Sequence, residues 1–133
     1  RQAWIGHVGD SRVYHHRRGK LTQITEDQTL VSRLVKLGQL TPEEAECHPQ
    51  RSELQQALGG RHNVYPDTYH TLLRQGDWLL VCSDGLSNML TLEDMGEVLR
   101  TAASAERAAR RLVNLALLAG AIDNVSVIVV RVA

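Results

Sequence analysis

The feature that most constrains this chain is "WLLVC", residues 78–82, an unbroken apolar run with Gly76 and Asp77 ahead of it and Ser83, Asp84 and Gly85 behind. A run so short and apolar, closed at both ends by turn-forming residues, predicts a strand over 77–83 in the interior of a sheet. The strand delivers Asp84 at its end, where a rigid element holds the carboxylate in place and Gly85 lets backbone or ligand approach closely.

Two other aspartates stand at comparable junctions. Asp10, in "GHVGDSR", follows the apolar run "QAWIGHV", and Asp123, in "GAIDNVSVIVV", lies between a helix-ending glycine and a β-branched run. Each junction taken singly is ordinary turn chemistry. Three together, far apart in sequence, suggest carboxylates brought to one place by folding. Oxygen donors with no cysteine or histidine pair beside them favour a hard cation, manganese or magnesium, and the hydrolytic or phosphoryl-transfer chemistry such ions support. The spacing is not that of an EF-hand loop.

The remaining pattern predicts an α+β domain. "QAWIGHV", "SRVYHHRR" and "KLTQIT" are three short strands separated by Gly9–Asp10 and Gly19. Leu30, Val31, Leu34, Val35 and Leu37 recur with a helical period up to Gly38. Thr41, Pro42 and Glu44 form a capping sequence for a short second helix. "VYPDTYHTLL" reads as extended. Thr91 caps a helix to about Thr101, and Ser104 caps another whose apolar positions are Ala108, Leu112, Leu115, Ala116 and Leu118, with Gly120 ending it. "NVSVIVVRV" predicts a strand buried on both faces.

Composition excludes several functions. Fifteen basic residues balance fifteen acidic ones, so no global field draws the chain to nucleic acid or to an anionic membrane. The longest apolar run, "LALLAGAI", is far short of the ~20 residues of a membrane span. Cys47 and Cys82 have no metal-ligand spacing, and Cys82 reads as a buried thiol in a reducing, cytoplasmic setting. His15 and His16, in "YHHRRGK", read as an exposed, solvated strand edge, and His48 as a turn residue beside Pro49. Ser11, Ser83 and Ser87 lack a suggestive histidine and acid nearby, which argues against a serine hydrolase.

Five strings, "GHVGDSRVY", "TEDQTLV", "GQLTPEEAECHPQRSELQQALGG", "GDWLLVCSDGLSNML" and "GAIDNVSVIVV", resemble in order and spacing the bacterial metal-dependent type 2C serine/threonine protein phosphatases. The resemblance runs nearly end to end. It implies a sandwich of two antiparallel sheets flanked by helices, incomplete in this chain, with a dinuclear manganese or magnesium site at one edge. Asp84 and Asp123 would be metal ligands, and Asp10 with Asp84 would border an accessory third position. Gly85 and Asn124 would support them, Asn124 by steadying the Asp123 loop. Residues from about 27 to 62 would form a flap beside the site.

The resemblance also implies missing parts. The family's phosphate-binding arginine, the acidic residue near it and its Asp-Gly-x-Gly-Gly motif do not occur, and the one Asp-Gly pair is Asp84–Gly85. With an apolar start at Arg1, the chain is expected to be the C-terminal half of a catalytic domain, inactive alone, with exposed sheet edges that favour self-association. Gln28 occupies a place where relatives commonly carry histidine. The expected substrate is a phosphorylated protein. The competing expectations are a phosphatase-like regulatory or binding module without catalysis, and a structural domain whose aspartates merely serve turns.

Overall fold

The computed structural model describes residues 1–60 and 63–133, so the last two residues of the expected flap, 61 and 62, lie outside the described residues. Six strands and five helices follow one another as β1 (Gln2–His7), β2 (Arg12–Arg17), β3 (Lys20–Gln23), α1 (Leu30–Lys36), α2 (Pro42–Cys47), β4 (Asp67–Leu72), β5 (Trp78–Cys82), α3 (Asp84–Ser87), α4 (Leu92–Thr101), α5 (Ala105–Leu118) and β6 (Val127–Arg131). They form two antiparallel sheets, a two-stranded β1–β4 pair and a four-stranded sheet in the order β3-β2-β5-β6. The expected α+β class and two-sheet architecture are therefore present.

One face of the four-stranded sheet carries the core. Tyr14, Leu80 and Val129 lie in one cross-strand row and His16, Trp78 and Arg131 in the next. Helices α3, α4 and α5 cover this face with Leu86, Met95, Val98, Leu99, Ala108, Leu112 and Ala116, all essentially buried. The helix starts are built as the sequence predicts. Thr41 and Thr91 head reciprocal capping boxes with Glu44 and Asp94, and the Ser104 side chain accepts from the Arg107 amide. Gly38 follows α1 with φ of 70°, a left-handed conformation that glycine adopts without a side-chain penalty.

Four expectations need correction. Strand β6 is not buried on both faces: it is the sheet edge, and Ile128 and Val130 on its outer face are 63% and 45% exposed. A β-branched run records compatibility with a pleated surface, and the number of layers packed on it is a tertiary matter. His15 and His16 do not form a solvated edge, because β2 lies between β3 and β5. His16 is buried on the core face, and the His15 Nε2 is 3.0 Å from Asp77 Oδ2. Leu118 is 85% exposed, since the buried stripe of α5 runs through Ala108, Leu112 and Ala116 and residue 118 has rotated off it. Finally, β5 ends at Cys82, and Asp84 opens the helical turn α3 with Ser83 as its N-cap.

Asp77 closes the turn into β5. It is buried, and it accepts hydrogen bonds from the Arg17 guanidinium and from the Arg74 amide at 2.7 Å. The Arg17 bond foremost holds its carboxyl far below the ordinary carboxylate range. Cys82 is buried, and burial pushes its thiol up to about 11, which makes it an inert core residue as expected. Cys47 is free and exposed.

Candidate metal centre

The three predicted aspartates lie at or next to the ends of secondary-structure elements. Asp10 sits in the β1–β2 turn, half-buried, directly after Gly9, whose φ of 100° the turn requires. Asp84 is half-buried at the first position of α3. Burial raises the Asp10 carboxyl above its ordinary range, and the negative charges of Asp84 and Asp27 raise it further. The charges of Asp84 and Asp27 thus bear on Asp10. Nothing in the sequence singled Asp27 out, for it stood inside "TEDQTLV" as one carboxylate among fifteen acidic residues.

Asp27 is itself clamped. The Arg12 guanidinium donates to both of its oxygens, with Nη2 2.7 Å from Oδ2 and Nε 2.9 Å from Oδ1, and Arg12 also donates to the Tyr14 hydroxyl at 3.2 Å. Such a bidentate pair fixes orientation as well as charge. The Asp27 bonds foremost hold the Arg12 guanidinium in its charged form.

Asp123 arrives on the loop between α5 and β6, and this loop is sewn to the Asp84 turn. Ser83 Oγ donates to the Asn124 carbonyl at 3.3 Å and accepts from the Ser126 amide at 3.0 Å, while the Ser126 carbonyl accepts from the Ser83 amide. Gly85 is buried against the Asn124 carbonyl, so closely that a Cβ there would lie 2.9 Å from the carbonyl carbon. Asn124 steadies the loop with its backbone, and its amide donates to Asp123 Oδ1 at 2.7 Å. The Ser83 hydroxyl thus holds two loops together.

Carboxylate oxygens are the hard donors a divalent cation prefers, so these residues fit such an ion in kind. Their number is incomplete. Asp123 is exposed and not among the charges that bear on Asp10, and among the described residues no group of three or more histidine, cysteine, aspartate or glutamate side chains could hold an ion.

No family model matches the chain. In sequence it is 50% identical over 126 residues to the serine/threonine protein phosphatase PstP of Mycobacterium tuberculosis, covering 95% of this chain and 24% of PstP. It is 40% identical over 129 residues to the protein phosphatase PhpP of Streptococcus pneumoniae, covering 97% of this chain and 52% of PhpP. In structure it superposes on the serine/threonine phosphatase of S. agalactiae with a TM-score of 0.96 at 42% identity, over 99% of this chain and 55% of that one. It also matches the catalytic domain of PstP, solved in complex with two manganese ions, with a TM-score of 0.82 at 44% identity, over 96% of this chain and 52% of that one.

An α+β domain of two antiparallel sheets, one of them covered by helices on one face, does not by itself name a reaction. In sequence and in fold the chain is similar, over nearly its whole length, to bacterial serine/threonine protein phosphatases. The chain spans about half the length of PhpP and a quarter of PstP.

Proposed function

We propose that this chain forms part of the catalytic domain of a metal-dependent phosphoprotein phosphatase, its C-terminal portion, acting on phosphoserine and phosphothreonine in bacterial cytoplasmic proteins. The single observation that carries this reading is the fastening of the Asp123 loop to the Asp84 turn through Ser83 and Gly85, which keeps the backbone of two expected ligands in fixed relation. The manganese pair in PstP's catalytic domain supports the choice of ion. Magnesium, with the same preference for oxygen donors, is the alternative, and a third ion beside Asp10 extends the reading.

When bound, the ions supply Lewis-acid polarisation of the phosphoryl group and a nucleophilic water near neutral pH. The chain's own residues would do the rest. Asp84 and Asp123 would hold the ions, and Asp10 would border the accessory position. Ser83, Gly85 and Asn124 would keep Asp84 and Asp123 in fixed relation, and Arg12 would keep Asp27 turned from solvent. The hydroxyls of Ser11, Ser83 and Ser87 would have no nucleophilic part.

The phosphorylated protein is the partner this reading requires. No helix among the described residues is long and apolar enough to cross a membrane, and the balanced charge gives no net field to draw nucleic acid. The incomplete ligand set favours a second reading, a phosphatase-like module that binds a phosphoprotein without cleaving it. Phosphopeptide hydrolysis decides between them. In a chain completed by the other half of the domain, Asp84→Asn and Asp123→Asn each abolish manganese-dependent hydrolysis, and the 133 residues alone hydrolyse nothing. Full activity in either variant would overturn the proposal.

A further inference from the structure

One buried polar side chain near the candidate centre has every hydrogen-bonding group used, and none of its partners is local. Gln28 is 8% exposed. Its Oε1 accepts from the Gly9 amide at 2.8 Å, and its Nε2 donates to Asp67 Oδ2, the first residue of β4, at 2.9 Å. Its own amide donates to the Gly9 carbonyl at 2.9 Å, and its carbonyl accepts from the Gln55 amide at 2.8 Å. Next to it, Thr29 bridges Leu54, and the Leu30 amide donates to Glu53. Three parts of the chain therefore close on Gln28: the turn that presents Asp10, the base of the segment from about 28 to 55, and the start of β4. Gln28 also lines a cleft of about 270 Å³ with Asp27, Arg33, Lys36 and Gln55.

The Gly9 amide is buried and has the Gln28 carboxamide as its acceptor, so losing that oxygen would leave a buried donor unsatisfied and free the turn to move. A primary amide can accept from Gly9 and donate to Asp67 at once, and it does so at any pH because it does not titrate. A carboxylate could do only the first, and would face Asp67 with like charge.

We propose that Gln28 is a positioning residue. Through the two hydrogen bonds to Gly9 it holds the Asp10 turn in place, and through Gln55 and Asp67 it makes that placement depend on the seating of the 28–55 segment and of β4. The inference rests on the phosphatase reading for its consequence in catalysis, but its geometry is independent of it.

The test uses the full-length protein that carries this chain, with Gln28→Ala and Gln28→His. Amide hydrogen exchange at Gly9 is followed in the metal-free protein, and the manganese Kd is taken from calorimetric titration. In Gln28→Ala, Gly9 exchange accelerates and the manganese Kd rises by about 10-fold, the scale on which losing a residue that orients a ligand is felt. In Gln28→His, whose ring can accept on one nitrogen and donate from the other, both readouts return most of the way to wild type. Unchanged Gly9 exchange and unchanged Kd in Gln28→Ala overturn the proposal. Should Gln28→Ala fail to fold, Gln28→Glu carries the test, since it keeps the acceptor for Gly9 and replaces the donor to Asp67 with a like charge. An intermediate Kd supports the proposal, and a wild-type Kd overturns it. If the wild type binds manganese but hydrolyses no phosphopeptide, the phosphatase reading fails while the same two readouts still decide the role of Gln28. If it binds no manganese, Gly9 exchange alone decides it.

Discussion

Gly85 illustrates how one residue can couple two site loops. The backbone carbonyl of Asn124 fills the space a side chain would need, and neither loop can withdraw without breaking the Ser83 bonds that fasten them. Gly85→Ala must therefore push the Asp123 loop away from α3, at a cost of about 1–3 kcal/mol for forced overpacking or more where backbone is the obstacle. Thermal unfolding is expected to show a lower Tm for Gly85→Ala, whereas Gly6→Ala, at a position with open space around it, serves as the control. An unchanged Tm in Gly85→Ala would mean the close approach is not maintained in solution. Glycine after the aspartate was legible as a site of close approach, but the identity of the neighbour, forty residues away in sequence, was not.

At the scale of the element, β2 carries a titratable group into the core. His16 faces Leu21 on β3 and Trp78 on β5, and neither ring nitrogen has a partner. Burial first, then the neighbouring His15, lowers its pKa below the ordinary 6.5, while Asp77 opposes the shift. Because the folded value lies below the unfolded one, the unfolded chain takes up the proton first, and stability falls as pH drops through 6.5 toward the folded value. His16→Leu removes both the orphan nitrogens and the titration. The expected result is that the Tm advantage of His16→Leu over wild type widens as pH is lowered from 7 to 5, and a constant difference across that range would count against it. The alternation of "RVYHHR" was compatible with a strand, but its central place in the sheet was decided by β5 pairing on one side and β3 on the other.

At the scale of the whole molecule, helices protect only one face of the four-stranded sheet. On the opposite face Val13 and Leu79 are buried, but Ile128, which pairs with Val81, and Val130, which pairs with Leu79, are open, as are Trp4 and Leu72 on the β1–β4 pair. Edge strands with apolar outward residues pair or aggregate unless covered. The 133-residue chain produced alone is accordingly expected to self-associate, and Ile128→Lys with Val130→Lys to shift it toward monomer in sedimentation velocity. A monomeric wild type would show that this face is harmless as it stands.

Local physical chemistry was enough to settle much of this architecture from sequence. The capping boxes at Thr41 and Thr91, the glycines at 38 and 120, and the apolar run over 78–82 are set by neighbours within a few residues, and the helices and strands follow them closely. The aspartates at 10, 84 and 123 could be singled out because they end or precede such elements. What the tertiary structure alone decided depends on contacts between distant segments: that β6 is an edge, that His16 is inside, that Arg12 clamps Asp27, and that Gln28 is where the Gly9–Asp10 turn, the 28–55 segment and β4 meet. Propensity and periodicity act over one or two turns of chain, whereas burial and charge coupling are properties of whichever segments the fold brings side by side.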